Sequence, residues 1–383
     1  MRAAHLALRQ PRLLQPASDP VTLPESARRD ARARGAWRTL LVCTGTGCSV
    51  LAALGWIGPS LAGALASPWL AQSWGGLAGA ATGLALARAW RSACVFALVF
   101  AALSIRVLPV LVPSEAAAPS RTLRIAYANV NAWNDPTPDA VRWFESTDAD
   151  VVALIECSQE WVDALRASSR GAGPAWPNAA VRIDDHPIGG VAILSRHPLR
   201  DVDVFIGPEA SFPMVDAVVQ SPDGPVRLMI AHPVPPVGIG AMEMRNAEIL
   251  WLAQRCAESA LPTAIVADFN DTPFGQALRD FAATSGMRSA ACVTGLVTTW
   301  PARVAGVRWP APLRIAIDHC FVSRDMGIAA LSAGPDTGSD HLPLLVDLAH
   351  VARADRVSGH GHFPAPEGRA RDGSPEQLTM GSR

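Results

Sequence analysis

Hydrophobic positions are spread along this chain in two unlike ways. From Thr39 to Ala87 no charged residue occurs, and the stretch is long enough for two membrane-crossing helices of about 20 residues each. Thr39 to Trp56 reads as the first, broken by Gly58-Pro59-Ser60. A second lies within Leu61 to Ala87 and is closed by Arg88 and Arg91. Ser92 to Pro113 reads as a third, apolar except for Arg106 and two Ser. An Arg near a helix end reaches toward headgroups. The rival reading is two spans plus a buried helix. A secretory signal peptide is not expected, because the apolar run begins late and three runs follow one another.

After a small-residue linker at Ser114 to Ser120, the pattern changes to short apolar runs separated by helical and turn segments. Leu123–Val130, Val151–Ile155, Gly190–Leu194, Val226–Ala231, Ala264–Ala267, Ile315–Val322 and Pro343–Asp347 read as buried strands. Pro138–Ser146 and Glu243–Ser259 read as amphipathic helices. Beyond His350 the composition turns to Gly, Pro, Arg and Ser, which predicts a disordered tail. The expected division is a basic arm at 1–38, a region of about three transmembrane helices at 39–113, a linker at 114–120, a folded domain at 121–350 and a tail at 351–383.

Charge sharpens this division. Eight Arg face three acidic residues before Thr39, whereas 17 Arg face 27 Asp and Glu between Glu115 and His350, and no Lys occurs anywhere. Arg at the first helix and at Arg88 and Arg91, with an uncharged loop between the first two spans, fits a cytoplasmic N-terminus. Three spans then place the folded domain outside the cytoplasm. Cys157, Cys256, Cys292 and Cys320 show no metal-binding spacing and read as small buried residues. An exported domain leaves room for one disulfide among them.

Polar residues gather where the apolar runs end. Asn129 closes the first, and Glu156 follows five apolar residues in the second. A carboxylate in that position needs a partner if it is buried, and a hard cation is one. In Ala267-Asp268-Phe269-Asn270, alternation sends Asp268 and Asn270 to one side. That pair suits proton abstraction from water and a hydrogen bond to a phosphoryl oxygen; an Asx-turn before Pro273 is the plainer reading. Asp318-His319 and Ser339-Asp340-His341-Leu342-Pro343 supply further acids and imidazoles, and His232 closes the strand at Met229-Ile230-Ala231. Taken singly, Glu156 reads as a strand-end charge and His232 as a backbone-held His.

Taken in order, these residues resemble the endonuclease/exonuclease/phosphatase superfamily, which includes repair nucleases, deoxyribonucleases, sphingomyelinases and inositol-polyphosphate phosphatases. The resemblance runs over about residues 121 to 350 and extends to Gly190–Arg196 and Thr299-Trp300-Pro301. It implies an α/β (α+β) fold, a two-sheet β-sandwich flanked by helices. It also implies that Asn129 and Glu156 hold Mg²⁺ (or Mn²⁺), with Asp340 counted beside them. Asp268 would deprotonate water, Asn270 hold the phosphate, Asp318 act beside the phosphate or a second metal, and Asp340 orient His341. His341 would stabilise charge on phosphorus, and His232 would bind phosphate or assist the leaving oxygen. Ala267 stands where Gly is usual, and His319 has no implied role beyond packing. Several three-span bacterial members look similar over their whole length, which implies a multi-pass protein of the bacterial inner membrane.

The expected activity is metal-dependent hydrolysis of a phosphodiester or phosphomonoester, borne by a lipid headgroup, a small molecule or nucleic acid. A surface nuclease and an inert membrane scaffold are the alternatives, and no protein partner is expected. Substrate choice is expected in loops such as Asp201–Val215 and Leu296–Pro312. Duplex DNA binding depends on Lys and Arg against backbone phosphates, which this acidic domain lacks in number. Long duplex DNA should therefore be a poor substrate at ~0.15 M salt. Rapid, Glu156-dependent cleavage of plasmid would contradict this.

Overall fold

Runs rich in Val, Ile, Leu and Ala build two six-stranded sheets in the computed structural model, which describes residues 25–56, 61–171, 173–183, 186–207 and 212–350. In chain order the strands are β1 (Leu123–Asn129), β2 (Val151–Ile155), the ribbon β3 (Ser169–Arg170) and β4 (Gly173–Pro174), β5 (Asn178–Arg182), β6 (Val191–Ser195), β7 (Leu199–Phe205), β8 (Met214–Ser221), β9 (Gly224–Ala231), β10 (Thr263–Asp268), β11 (Arg288–Ser289), the ribbon β12 (Arg303–Val304) and β13 (Val307–Arg308), β14 (Asp318–Val322), β15 (Met326–Ala333) and β16 (Leu344–His350). The helices are α1 (Glu25–Trp56), α2 (Leu61–Ala66), α3 (Leu70–Leu86), α4 (Trp90–Leu111), α5 (Pro138–Ser146), α6 (Gln159–Arg166), α7 (Ile239–Ala257), α8 (Gln276–Ser285) and α9 (Ala291–Thr294).

The sheets run β15-β16-β1-β2-β6-β5 and β11-β14-β10-β9-β8-β7. Each has one parallel pair in the middle, β1 with β2 and β9 with β10, among antiparallel neighbours. Their inner faces meet through Leu123, Ile125 and Tyr127 of β1, Leu228 and Ile230 of β9, and Ala264 and Val266 of β10. The other face of the first sheet is covered by Phe144 of α5 and Trp161 of α6, and that of the second by Ile249 of α7 and Phe281 of α8. Helix α5 starts where the sequence predicts, with Pro138 at its first turn and the Thr137 side chain accepting from Ala140 N–H.

Central strands match the expected runs to within a few residues. The edge strands β5, β7 and β15, the inner strand β8 and the helices α6 and α8 were not expected. Asp201–Val215, read as a loop, contains the end of β7 and the start of β8. β7 is a largely exposed edge strand with a register shift between Arg200 and Asp203, so its alternation is broken.

Before the sheets lies a helical bundle. Helices α1 and α4 are long and apolar enough to cross a membrane. Uncharged α3 has 17 residues and packs along both. A Cβ at Gly83 of α3 would meet Leu41 of α1 at 2.8 Å, so glycine permits this close approach. The basic arm is in part helical, since α1 reaches back to Glu25; residues 1–24 and the tail from 351 lie outside the described residues. All seven cysteines are unpaired thiols.

The bundle is fastened to the sheets. The Arg106 guanidinium, expected to reach headgroups, instead donates to the Phe274 carbonyl at 2.9 Å and lies over the Trp56 ring. Gln72 of α3 donates to the Arg314 carbonyl at 3.0 Å. The linker is held as well. Ser114 and Glu115 N–H both donate to the Cys292 carbonyl, and Ala118 N–H donates to that of Ile328.

Candidate active site

Strand parity decides which polar side chains meet. On β1, Leu123, Ile125 and Tyr127 face the core between the sheets, and Asn129 is the next residue on that face. The same count carries Asp268 on β10, Asp318 on β14 and His232 after β9 to the inner side. Asp268 and Asp318 are cross-strand partners at the end of their ladder. His319 has the opposite parity. It is buried on the outer face, with Nε2 3.0 Å from the Asp271 carbonyl, and this separates it from the site. Burial also lowers its pKa, so the ring is neutral and Nε2–H donates.

Two residues reach the site through left-handed backbone. Glu156 has φ 49° and Asn270 has φ 50°. Parity alone would send Glu156 outward; instead its Oε1 accepts from Asn129 Nδ2 at 2.8 Å. The Asx-turn also forms, with Asn270 N–H donating to Asp268 Oδ1 at 2.9 Å. It leaves Asp268 Oδ2 facing His341 Nε2 at 3.6 Å and His232 Nε2 at 3.9 Å.

One expected pairing is corrected. The carboxylate on His341 Nδ1 is Asp318, at 2.8 Å, and not the chain neighbour Asp340. Asp340 accepts instead from Asn131 Nδ2 at 2.7 Å and from Trp300 Nε1 at 3.1 Å. His341 turns away because its own N–H donates to Ser339 Oγ, whose hydroxyl donates to the Asn129 carbonyl. Asn129 is itself hydrogen-bonded within the site. Its Oδ1 accepts from Asn131 N–H, and its Nδ2 orients Glu156 and lies 3.3 Å from Asp268 Oδ2.

The electrostatics follow from burial. Glu156 and Asp268 are pushed above the usual carboxylate range by burial, and Asp268 further by Asp318. Burial opposes charge on His341, yet Asp318 and Asp268 prevail and raise it to about 10. Burial, followed by the charge on His341, lowers His232 to about 4. Thus one imidazolium and one neutral imidazole face several acids. Ligand atoms of Asp268, Asp318 and His341 lie within 4.8 Å of one another. Asp318 Oδ1 is buried without a hydrogen-bond partner, while Oδ2 takes both Thr299 and His341. An oxygen-rich, acidic set with such an orphan atom fits a hard divalent cation.

Glu156, His232, Asp268, Asn270, Asp340 and His341 line one cavity of about 430 Å³. Asp318 sits behind His341. The cavity also takes in Arg245 and Trp300, for which no role was expected. Arg245, buried on α7, donates to the Asn270 carbonyl and lies 3.7 Å from Asp271. Phe212 stacks on His232 with ring centres 5.2 Å apart.

The Endonuclease/Exonuclease/phosphatase family matches residues 126–341. Similar solved structures include D. rerio TDP2 complexed with a single-strand DNA product (16% identity, 59% of this chain and 98% of that one, TM-score 0.49). An endonuclease/exonuclease/phosphatase from Bacteroides vulgatus has 19% identity over 60% of this chain and 99% of its own, with TM-score 0.47. A mannosyl-6-phosphatase of Bacteroides thetaiotaomicron has 16% identity over 59% and 99%, with TM-score 0.42. No curated protein matches the chain.

Because Asp318 and His341 act as one hydrogen-bonded unit, their removals should not add. Asp318→Asn and His341→Ala should each lower kcat by about 10²-fold or more. The double variant should lose no more than about threefold beyond the worse single variant. Independent, multiplying losses would show that the two side chains act separately.

Proposed function

This chain belongs to the endonuclease/exonuclease/phosphatase family of phosphoesterases and nucleases, and we propose that it is a membrane-anchored, Mg²⁺-dependent hydrolase of phosphoester bonds. The observation that carries the reading is the convergence of Glu156, Asp268 and a charged His341 from both sheets at one cavity, with Asp318 held behind His341. Glu156, oriented by Asn129, and Asp340, oriented by Asn131 and Trp300, would hold the metal. When bound, the metal supplies positive charge against phosphoryl oxygens and makes a held water more acidic.

The protein's own groups do the rest. Asp268 Oδ1 is tied to Asn270 N–H, so Oδ2 is the oxygen available to take a proton from the attacking water. As the water oxygen bonds to phosphorus the ester P–O bond breaks, and the departing oxygen takes up a proton from solvent water. His341 carries positive charge at the cavity and matches the negative charge building on the phosphoryl oxygens. Neutral His232 offers a hydrogen bond rather than a proton. One hydrogen of Asn270 Nδ2 goes to the Pro233 carbonyl, leaving the other for a phosphoryl oxygen.

We further propose that α1, α3 and α4 cross the membrane in turn, with the sheets on the side away from the Arg-rich ends. Arg38, Arg88 and Arg91 lie at one end of the bundle and the fastening to the sheets at the other.

Hydrolysis of a chromogenic phosphodiester by the full-length protein should require Mg²⁺ or Mn²⁺, and Glu156→Gln should lower kcat by roughly 10²-fold or more. Full activity in EDTA would refute the mechanism. An alkaline phosphatase reporter fused after His350 should be active, as expected of an extracytoplasmic domain. An inactive reporter there, with a fluorescent cytoplasmic one, would reverse the orientation or change the span count.

A further inference from the structure

We propose that the catalytic cavity is built jointly by the bundle and the sheets, and that α2 and the turn after it form a subsite for the apolar stem of a bilayer-borne lipid phosphoester. This rests on the hydrolase reading above and names the substrate class of the same site. Leu65 of α2, with Pro68 and Trp69 of the 3₁₀ turn Ser67–Trp69, lines the same cavity as Glu156, Asp268 and His341. Pro235, Pro236 and Val237, from the segment between β9 and α7, line it as well. These walls are apolar and open. Leu65 is 60% exposed and Val237 86%, and Ile239 beside it is 58% exposed. A polar, water-borne phosphate gains nothing from such walls, whereas each methylene they cover strengthens binding by roughly fourfold.

Position along the bundle identifies the source. Helix α3 starts at Leu70, directly after the turn, and its 17 residues reach about 25 Å, ending just before Arg88 and Trp90. Trp69 and Trp56 therefore mark one end of the apolar thickness, and Trp90 with Arg88 the other. Arg106 over Trp56 bonds to Phe274, so the sheets meet the bundle at that level with no spacer. A membrane phospholipid carries its phosphate at that depth and its chains alongside the helices. The catalytic acids and the apolar walls of Leu65 and Trp69 then lie at the matching ends of one ligand.

The test uses full-length protein in detergent with Mg²⁺ and two probes of identical chemistry, methyl and dodecyl p-nitrophenyl phosphate. The dodecyl ester should have kcat/KM at least roughly tenfold higher. Trp69→Ser and Leu65→Ser should each lower the dodecyl-to-methyl ratio by about fivefold or more, and Trp69→Phe should retain it. In proteoliposomes of equal parts phosphatidylethanolamine and phosphatidylglycerol, phospholipid cleavage should fall in the same variants. Equal kcat/KM for the two esters, or a ratio unchanged in Trp69→Ser, would overturn the subsite. Cleavage of the dodecyl ester with none of the vesicle lipid would overturn the bilayer source. No hydrolysis of either ester would instead overturn the hydrolase reading on which the inference rests.

Discussion

Glu156, Asp268, Asp318 and Asp340 stand at the open end of an apolar core, and the local structure is organised around that unfavourable burial. An isolated carboxylate removed from water costs several kcal/mol unless it is paired or hydrogen-bonded. Each acid here has a donor: Asn129 for Glu156, Asn270 N–H for Asp268, Thr299 and His341 for Asp318, Asn131 and Trp300 for Asp340. Only one of those donors, His341, is a cation. The proposed divalent ion would offset the negative charge these acids retain.

The two sheets solve the positioning problem in the same way. Each centres on one parallel pair, whose strands end together, flanked by an antiparallel strand that begins at that same edge. Side chains from the ends of β1, β2, β9 and β10 and the starts of β14 and β16 thus converge without any long loop. Packing between the sheets fixes the backbone beneath them. The left-handed backbone at Glu156, a strain of order 1 kcal/mol, turns inward an acid that strand alternation would send outward.

Parity was readable in the sequence for Asp268 and Asn270, which alternation sends to one side and which line one cavity. The partner of His341 was not readable. Chain adjacency favours Asp340, and the turn held by Ser339 reverses it. Arg245 and Trp300 carried no local pattern, because a buried Arg on a helix and a Trp before a Pro look ordinary until distant strands are assembled around them. The outer strands were lost for a related reason. β7 is exposed and bulged, and β15 is rich in small residues, so neither shows a clean apolar alternation. Arg106 was read from its own helix alone, and its partner carbonyl lies 168 positions away.

The held linker has a consequence for how this protein meets anything it acts on. With Ser114 and Glu115 bonded to α9, Ala118 bonded to β15, and Gln72 and Arg106 fastening the bundle from α3 and α4, the domain is not on a flexible tether. It keeps one orientation relative to its helices. With its helices in a membrane, as proposed, its search would be lateral diffusion in a plane, at constant height and tilt, in place of tumbling in a volume. Such a domain samples a thin layer of its surroundings over and over, and molecules outside that layer reach it only by their own motion.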